Sequence, residues 1–297
     1  KVDFRISTLP SVRGEKAVLR ILDRERALRG LEGLGCEAAE LARIKNLLNV
    51  PNGIILNTGP TGSGKTTTLY AMLERLNLAE FNAVTVEDPV EYDIPGVTQV
   101  QVNERSGLSF AAALRSILRQ DPDIVMLGEI RDGETALLAV RAALTGHVVL
   151  STLHTNDAAS AALRLIDMGA PAFLVASALR GVMAQRLVRK LCPHCRQPYA
   201  LPERECERLG LPHGSVFYRP VGCPLCDGRG YAGRTAIFEV LAVDEEISAL
   251  IAREESVSTL REAAVRKGMR TLERSGIAKA LAGVTSYEEV FGAIDVR

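Results

Sequence analysis

The run Gly59-Pro60-Thr61-Gly62-Ser63-Gly64-Lys65-Thr66 has residue types and spacing suited to one task, the holding of a phosphate chain. It fits the pattern G-x4-G-K-[ST]. The glycines let backbone N–H groups converge on phosphate oxygens, and the helix that follows points its positive end at the same anion. In such a loop Lys65 reaches the β- and γ-phosphates of ATP and Thr66 holds Mg²⁺, with Thr67 beside them in the nucleotide-binding set.

ATP hydrolysis also needs an acid that polarises water and another near the metal. Two acidic clusters follow short apolar runs. Glu87-Asp88-Pro89-Val90-Glu91 comes after Ala83–Val86, and Gly128-Glu129 comes after Ile124–Leu127. The second has the position of a Walker B strand, but Gly128 stands where the usual Asp would be. Glu129 is left to act there, through water. His154, in Ser151-Thr152-Leu153-His154-Thr155, follows another apolar run and is placed to sense a γ-phosphate. His147, before that run, reads as structural.

A second kind of chemistry lies further on. Of six cysteines, four form Cys192-Pro-His-Cys195 and Cys223-Pro-Leu-Cys226, with 27 residues between the pairs. Four thiolates so spaced suit a tetrahedral Zn²⁺ with no open position, which makes the role structural. The surrounding stretch is poor in core-forming pattern, so a metal would supply stability that burial does not. Thioredoxin-like redox chemistry explains two pairs badly, and metal-free packing is the other alternative. Cys36 and Cys206 stand alone, and His194 reads as a bystander.

Positioning these groups requires a scaffold. Gly53–Thr58 is a short continuous apolar run typical of a buried parallel strand. Further strands are expected over 83–86, 124–127 and 148–152, with helices from Lys65 and over 110–118, 134–144 and 158–168. Strands alternating with helices predict a parallel sheet covered on both faces. Residues 1–22 alternate as two strands, and 41–48 carry helical spacing. From 191 to 233 Cys, Pro and Gly dominate, and four short helices are expected over 246–252, 257–267, 271–281 and 286–293.

Composition bounds the class. Apolar residues make up 47% and charged residues 24%, which excludes a disordered chain. Lys plus Arg and Asp plus Glu both number 36, so there is no basic surplus of the kind that grips nucleic acid, and nucleic acid is not expected as a partner. The longest apolar-looking stretch, 135–153, is broken by Arg141 and His147, so no membrane span is expected. The opening Lys-Val-Asp-Phe-Arg is patterned as a strand without a signal peptide, and reads as a fragment of something longer.

Taken together, Gly59–Thr66, Thr85-Val-Glu-Asp-Pro-Val-Glu91, the run from Leu118 to Asp132, Thr145-Gly-His147 with Ser151–Thr155, and the cysteine quartet resemble one family. It is the secretion-superfamily hexameric ATPases, most closely the type II secretion ATPases of the general secretory pathway protein E group. The resemblance covers nearly the whole chain. It implies an α/β fold: a RecA-like P-loop NTPase domain, a four-cysteine zinc subdomain and a small C-terminal helical domain. The expected boundaries are 1–30 for the end of an N-terminal domain and linker, 31–190 for the ATPase domain, 191–235 for the zinc subdomain and 236–297 for the helical domain.

Family members are cytoplasmic hexamers that dock on an inner-membrane platform and hydrolyse ATP to drive assembly of a pilus-like filament. The resemblance implies Glu91 as general base, Glu129 as the Walker B acid and His154 in the histidine box. Arg5 and Arg20 match arginines that complete a neighbouring subunit's site, and Arg115, Arg119, Arg131 and Arg164 also fall on family arginine positions. A type IV pilus assembly ATPase shares the boxes and the zinc motif, whereas the pilus retraction subgroup lacks the cysteines. A nucleic-acid translocase on a RecA-like core, and a zinc-held scaffold with a dead nucleotide site, are the readings from other classes.

Overall fold

The computed structural model describes residues 3–22, 30–76 and 78–294, with the side chains of residues 3, 5 and 20–22 outside that description. Strands β1 (Asp3–Ser11) and β2 (Gly14–Leu22) form an antiparallel pair whose register sets Arg5 opposite Arg20. The side chains of both arginines lie outside the described residues.

The apolar runs become the centre of a seven-stranded sheet. Its strands are β3 (Gly53–Thr58), β4 (Ala83–Glu87), β5 (Val97–Gln101), β6 (Ile124–Leu127), β7 (Val148–Leu153), β8 (Leu179–Leu191) and β11 (Tyr231–Ala242), in the order β11-β8-β3-β7-β6-β4-β5. All neighbours run parallel except β11, which is antiparallel to β8. Every residue of β3, β4, β6 and β7 is buried, because helices cover both faces. Side chains alternate between the faces. Ile54 and Leu56 join a core with α3 (Phe110–Ile117), α4 (Gly133–Leu144), α5 (Ala158–Asp167) and α6 (Ala172–Ala178). Ile55 joins the opposite core, with α1 (Ala38–Leu48) and α2 (Lys65–Arg75). This is the expected parallel sheet with helices on both faces.

Strands β8 and β11 differ from the sequence expectation, which named no strand over 179–191 or 231–242. The reason is visible in β8. It buries Gln185 and Arg186 between the apolar residues 182–184 and 187–188, and these polar residues, with Arg180, Arg189 and Lys190 nearer its ends, hide the pattern of a buried strand. The cysteine-rich stretch between them adds a small hairpin, β9 (Gln197–Ala200) with β10 (Val216–Arg219), and a short helix α7 (Glu203–Leu209).

The last helices divide between two cores. From α8 (Glu245–Ala252) and α9 (Val257–Arg266), Ile247, Ile251, Leu260 and Ala263 extend the core of the main sheet. From α10 (Leu272–Leu281) and α11 (Tyr287–Ile294), Ile277, Ala280 and Val290 pack with Leu209 and Phe217 of the cysteine-rich stretch. No helix among the described residues is long and apolar enough to cross a membrane.

One acid fastens these parts. Glu239 on β11 is buried, and it accepts hydrogen bonds from the N–H of Ala158 at 2.9 Å and of Leu272 at 3.3 Å. These are the first residues of α5 and α10, so one carboxylate caps two helices of different layers. Burial raises its pKa. Glu239→Met removes both acceptors and leaves two N–H groups without partners. The expected loss is about 2–4 kcal/mol, or a fall in Tm of about 5–10 °C, to be read in thermal melts.

Candidate nucleotide site and cysteine cluster

The sheet order places the C-terminal ends of β3, β7, β6 and β4 side by side, where ligands of open α/β sheets bind. Each end carries residues picked out by the sequence. The phosphate loop follows β3, His154 follows β7, Gly128 and Glu129 follow β6, and Asp88 to Glu91 follow β4. Side-chain caps start two of the next helices at once: Asp132 accepts from the Thr135 N–H at 2.8 Å, and Asp157 from the Ser160 N–H at 2.8 Å. Short loops with capped helices leave the functional side chains little room to wander.

The phosphate loop is braced from β8. The Gln185 side-chain oxygen accepts from Asn57 Nδ2 at 2.9 Å and from Thr68 Oγ1 at 2.7 Å. Gly59 (φ +154°) would bring a Cβ to 2.5 Å from the Gln185 carbonyl oxygen, and Gly64 (φ +92°) would bring one to 2.7 Å from Gln185 Nε2. Both positions exclude a side chain by conformation and by space. Within the loop the Ser63 Oγ is shielded from solvent and has no hydrogen-bond partner among the described residues. The Lys65 ammonium donates to the carbonyls of Gly59 at 2.8 Å and Pro60 at 3.1 Å.

These strand ends surround a cleft of about 720 Å³, large enough for a nucleotide. Thr61, Gly62, Gly64, Lys65, Thr66, Thr67, Glu91, Glu129 and His154 all line it. Glu129 pairs with Arg131, and its other oxygen stands 3.4 Å from His154 Nε2. Arg131 also reaches Asp88 at 3.5 Å. Burial works to raise the Glu129 pKa, but Arg131 and His154 outweigh it, so the carboxylate stays charged. Gly128 lies so close to β4 that a Cβ would stand 3.3 Å from the Val86 carbonyl oxygen. A side chain here would press on the neighbouring strand, and Glu129 is the first acid that the β6 end presents to the cleft.

His147 does not line the cleft; its Nδ1 stands 2.8 Å from the Ala142 carbonyl near the end of α4. Arg115 pairs with Glu134, while Arg119 bonds the Arg115 carbonyl at 2.9 Å. Sequence reasoning missed Arg234, which reaches the cleft from β11 beyond a register shift between Tyr231 and Arg234. Its neighbours Gly233 and Thr235 gave no signal, because the approach depends on how β11 lies on β8. Glu87 was read only as part of an acidic cluster. It proves buried, accepting from Tyr70, from Thr85 Oγ1 at 2.6 Å and from Gln99 Nε2 at 3.0 Å.

The four cysteines converge, with all four sulfurs within 4.8 Å of one another. Sulfur pairs stand at 3.9 Å (Cys192–Cys223), 3.8 Å (Cys195–Cys226) and 3.7 Å (Cys223–Cys226). An ion with four sulfurs at about 2.3 Å has sulfurs about 3.8 Å apart, whereas a disulfide needs about 2.05 Å. The cluster therefore fits a tetrahedral thiolate site. Cys226 Sγ also accepts from the N–H groups of Cys223 and Gly230, each at 3.2 Å, which favours its thiolate.

The class defined by this fold and site is the RecA-like P-loop α/β protein. The fold is similar to that of the pilus retraction motor PilT solved with bound ADP, at TM-score 0.72 and 29% identity over 97% of this chain and 73% of that one. It is also similar to the ATPase DotB of Yersinia pseudotuberculosis, at TM-score 0.70 and 22% identity over 98% of this chain and 69% of that one. The family model described as "Type II/IV secretion system protein" matches residues 1–292, and the chain belongs to that family. Type II secretion system protein E of Dickeya dadantii (strain 3937) is 52% identical over 289 residues, 97% of this chain and 58% of that protein. Type II secretion system ATPase E of Vibrio cholerae is 50% identical over 291 residues, 97% of this chain and 58% of that protein. The type IV pilus assembly ATPase PilB of Thermus thermophilus is 50% identical over 293 residues, 97% of this chain and 33% of that protein. The chain thus spans less than two thirds of the length of these relatives.

Two outcomes follow from the geometry. Burial, the largest influence on Lys65, lowers its pKa to about 8, with Glu129 opposing and Arg186 adding to the shift. Bound phosphate favours the charged amine, so nucleotide affinity is expected to be flat below about pH 8 and to fall as pH rises through it. Calorimetry above pH 8 should then detect proton uptake on binding, and affinity unchanged from pH 7 to pH 9.5 would count against the Lys65 contact. For the cysteines, a zinc chelator is expected to release one equivalent of zinc and open residues 191–235 to protease, with the 59–66 loop still protected. Unchanged protease resistance after metal release would exclude a structural ion.

Proposed function

We propose that this chain hydrolyses ATP as the motor of a type II secretion machine, powering assembly of a pseudopilus for protein export. The observation that carries the reading is the convergence of the phosphate loop, Glu91, Glu129 and His154 on one cleft, from the ends of four adjacent strands. Kinship to secretion proteins of which one is named an ATPase agrees with it.

In this reading the backbone of 59–64 and the Lys65 ammonium hold the β- and γ-phosphates. Thr66 holds Mg²⁺, which neutralises phosphate charge when bound. Glu91 orients and deprotonates the attacking water, Glu129 polarises its surroundings, and His154 reports on the γ-phosphate. Cys192, Cys195, Cys223 and Cys226 would hold Zn²⁺, which would supply the stability of that stretch when bound.

Arg5 and Arg20 complete the site of a neighbouring subunit in a hexamer. Their backbone positions stand opposite each other in the β1–β2 register. An arginine supplied in trans makes turnover depend on assembly. The motor works in the cytoplasm, held at the inner membrane by platform proteins, with no nucleic acid involved.

A second reading, type IV pilus assembly, has support from the 50% identity to the Thermus pilus ATPase. The two readings share the chemistry and differ in the platform protein that stimulates turnover. The chemistry is tested by Glu91→Gln. ATP binding is expected to stay within about threefold, while turnover falls by about 10²-fold or more, as for loss of a general base. Retained turnover would remove Glu91 from the mechanism, and stimulation by single-stranded DNA would point to a translocase instead.

A further inference from the structure

Glu91, the acid on which the proposed hydrolysis rests, lies on a segment with neither helix nor strand, residues 88–94. Side chains from elsewhere supply the hydrogen bonds that this backbone lacks. The Val90 N–H donates to Gln101 Oε1 at 3.3 Å, and the Ile94 N–H donates to Gln99 Oε1 at 2.7 Å. The Tyr92 carbonyl accepts from Gln99 Nε2 at 3.1 Å. Both glutamines stand on β5, the edge strand next to β4.

The remaining support has a different origin. The Glu91 N–H donates to the hydroxyl of Tyr70 at 3.4 Å. Tyr70 belongs to α2, the helix that begins at Lys65 and carries Thr66. Its hydroxyl donates in turn to Glu87, which is also held by Thr85 and Gln99. Burial, followed by the Glu87 contact, pushes the Tyr70 pKa well above the usual tyrosine range, so the phenol stays protonated and remains a donor. The Tyr70 ring is fully buried and meets the Tyr92 ring edge-on, with centroids 4.5 Å apart. A shift of α2 is therefore felt at two consecutive residues of this segment, at Glu91 itself through the hydroxyl and at Tyr92 through the ring.

We propose that Tyr70 is a positioning residue for Glu91, carrying the placement of the phosphate-binding helix to the acid through its hydroxyl. Tyr70 acts from behind the cleft and touches no reacting atom. The proposal rests on the reading of Glu91 as the group that prepares the water. It gives α2 two tasks, to hold phosphate at its first turn and to set the acid from its second. Binding and water activation then share one rigid body. The β5 glutamines hold the acid segment in place, while Tyr70 sets it relative to the nucleotide.

The test is Tyr70→Phe in the full chain, assayed for kcat and KM with MgATP, and for the fraction of chains that bind a fluorescent ATP analogue. The expected result is a fall in kcat of about tenfold with KM within about twofold and a full binding fraction. Glu91→Gln in parallel should lose about 10²-fold or more in kcat, and adding Tyr70→Phe to it should not lower the residual turnover further.

Unchanged kcat in Tyr70→Phe beside an inactive Glu91→Gln would overturn the proposal and leave the reading of Glu91 standing. A kcat loss matched by an equal loss of binding-competent chains would also overturn it, because that is the signature of a merely structural tyrosine. An active Glu91→Gln would overturn the reading and the proposal together. Should Tyr70→Phe fold poorly, Tyr70→Phe with Glu87→Gln removes the carboxylate left short of a donor. The pair is expected to recover folding and keep the low kcat, and recovery of both would overturn the proposal.

Discussion

The close approach of β8 to the phosphate loop is the constraint on which the rest of this structure depends. Gln185 ties Asn57 at the end of β3 to Thr68 in α2, and its atoms occupy the space that side chains at 59 and 64 would need. The loop is thereby fixed before any phosphate arrives. Beside it the buried Arg186 bonds the carbonyls of Gln185 at 3.0 Å and Asn156 at 2.8 Å, so the loop after His154 is held by the same strand. Preorganisation of this kind matters because hydrogen bonds and charges act on a developing charge without reorganising first.

Charge in the cleft is balanced on a short scale. Lys65, Arg131 and His154 face Glu129, with Asp88 behind Arg131. Burial pulls the pKa of the Lys65 amine down, while Arg131 foremost keeps Glu129 ionised against its burial. In the proposed function a nucleotide entering this field would replace internal pairings with phosphate contacts. Lys65 already spends its hydrogen bonds on the carbonyls of Gly59 and Pro60, which phosphate oxygens can take over.

The cysteine cluster is less remote from the cleft than its sequence position suggests. It sits between β8 and β11, and Gly230 is gripped on both sides, its N–H by Cys226 Sγ and its carbonyl by the Cys192 N–H at 2.9 Å. A few residues on, Arg234 lines the cleft. The same strand then carries Glu239, which caps α5 and α10. Strand β11 thus joins three features that the sequence presents separately: the cluster, the cleft and the C-terminal helices.

The sequence by itself determined the local chemistry. Gly59 to Thr66 announced a phosphate loop because the glycine conformations and the lysine are needed at consecutive positions. The strands over 53–58 and 124–127 were legible because each is short and built on a continuous apolar stretch, Ile54–Leu56 and Ile124–Leu127. The cysteines were legible by spacing, since C-x2-C brings two sulfurs within reach of one another in a single turn. The tertiary structure decided what depends on distant segments. Strand β8 was hidden because Gln185 and Arg186 are buried polar residues whose partners lie on β3, α2 and the loop after β7. Arg234 and Tyr70 had no local signature, since one reaches the cleft through the β8–β11 pairing and the other meets Glu87 and Glu91 from a helix packed on the face of the sheet. Local pattern records the demands a residue meets from its neighbours in the chain. The groups that brace this site answer to neighbours in space.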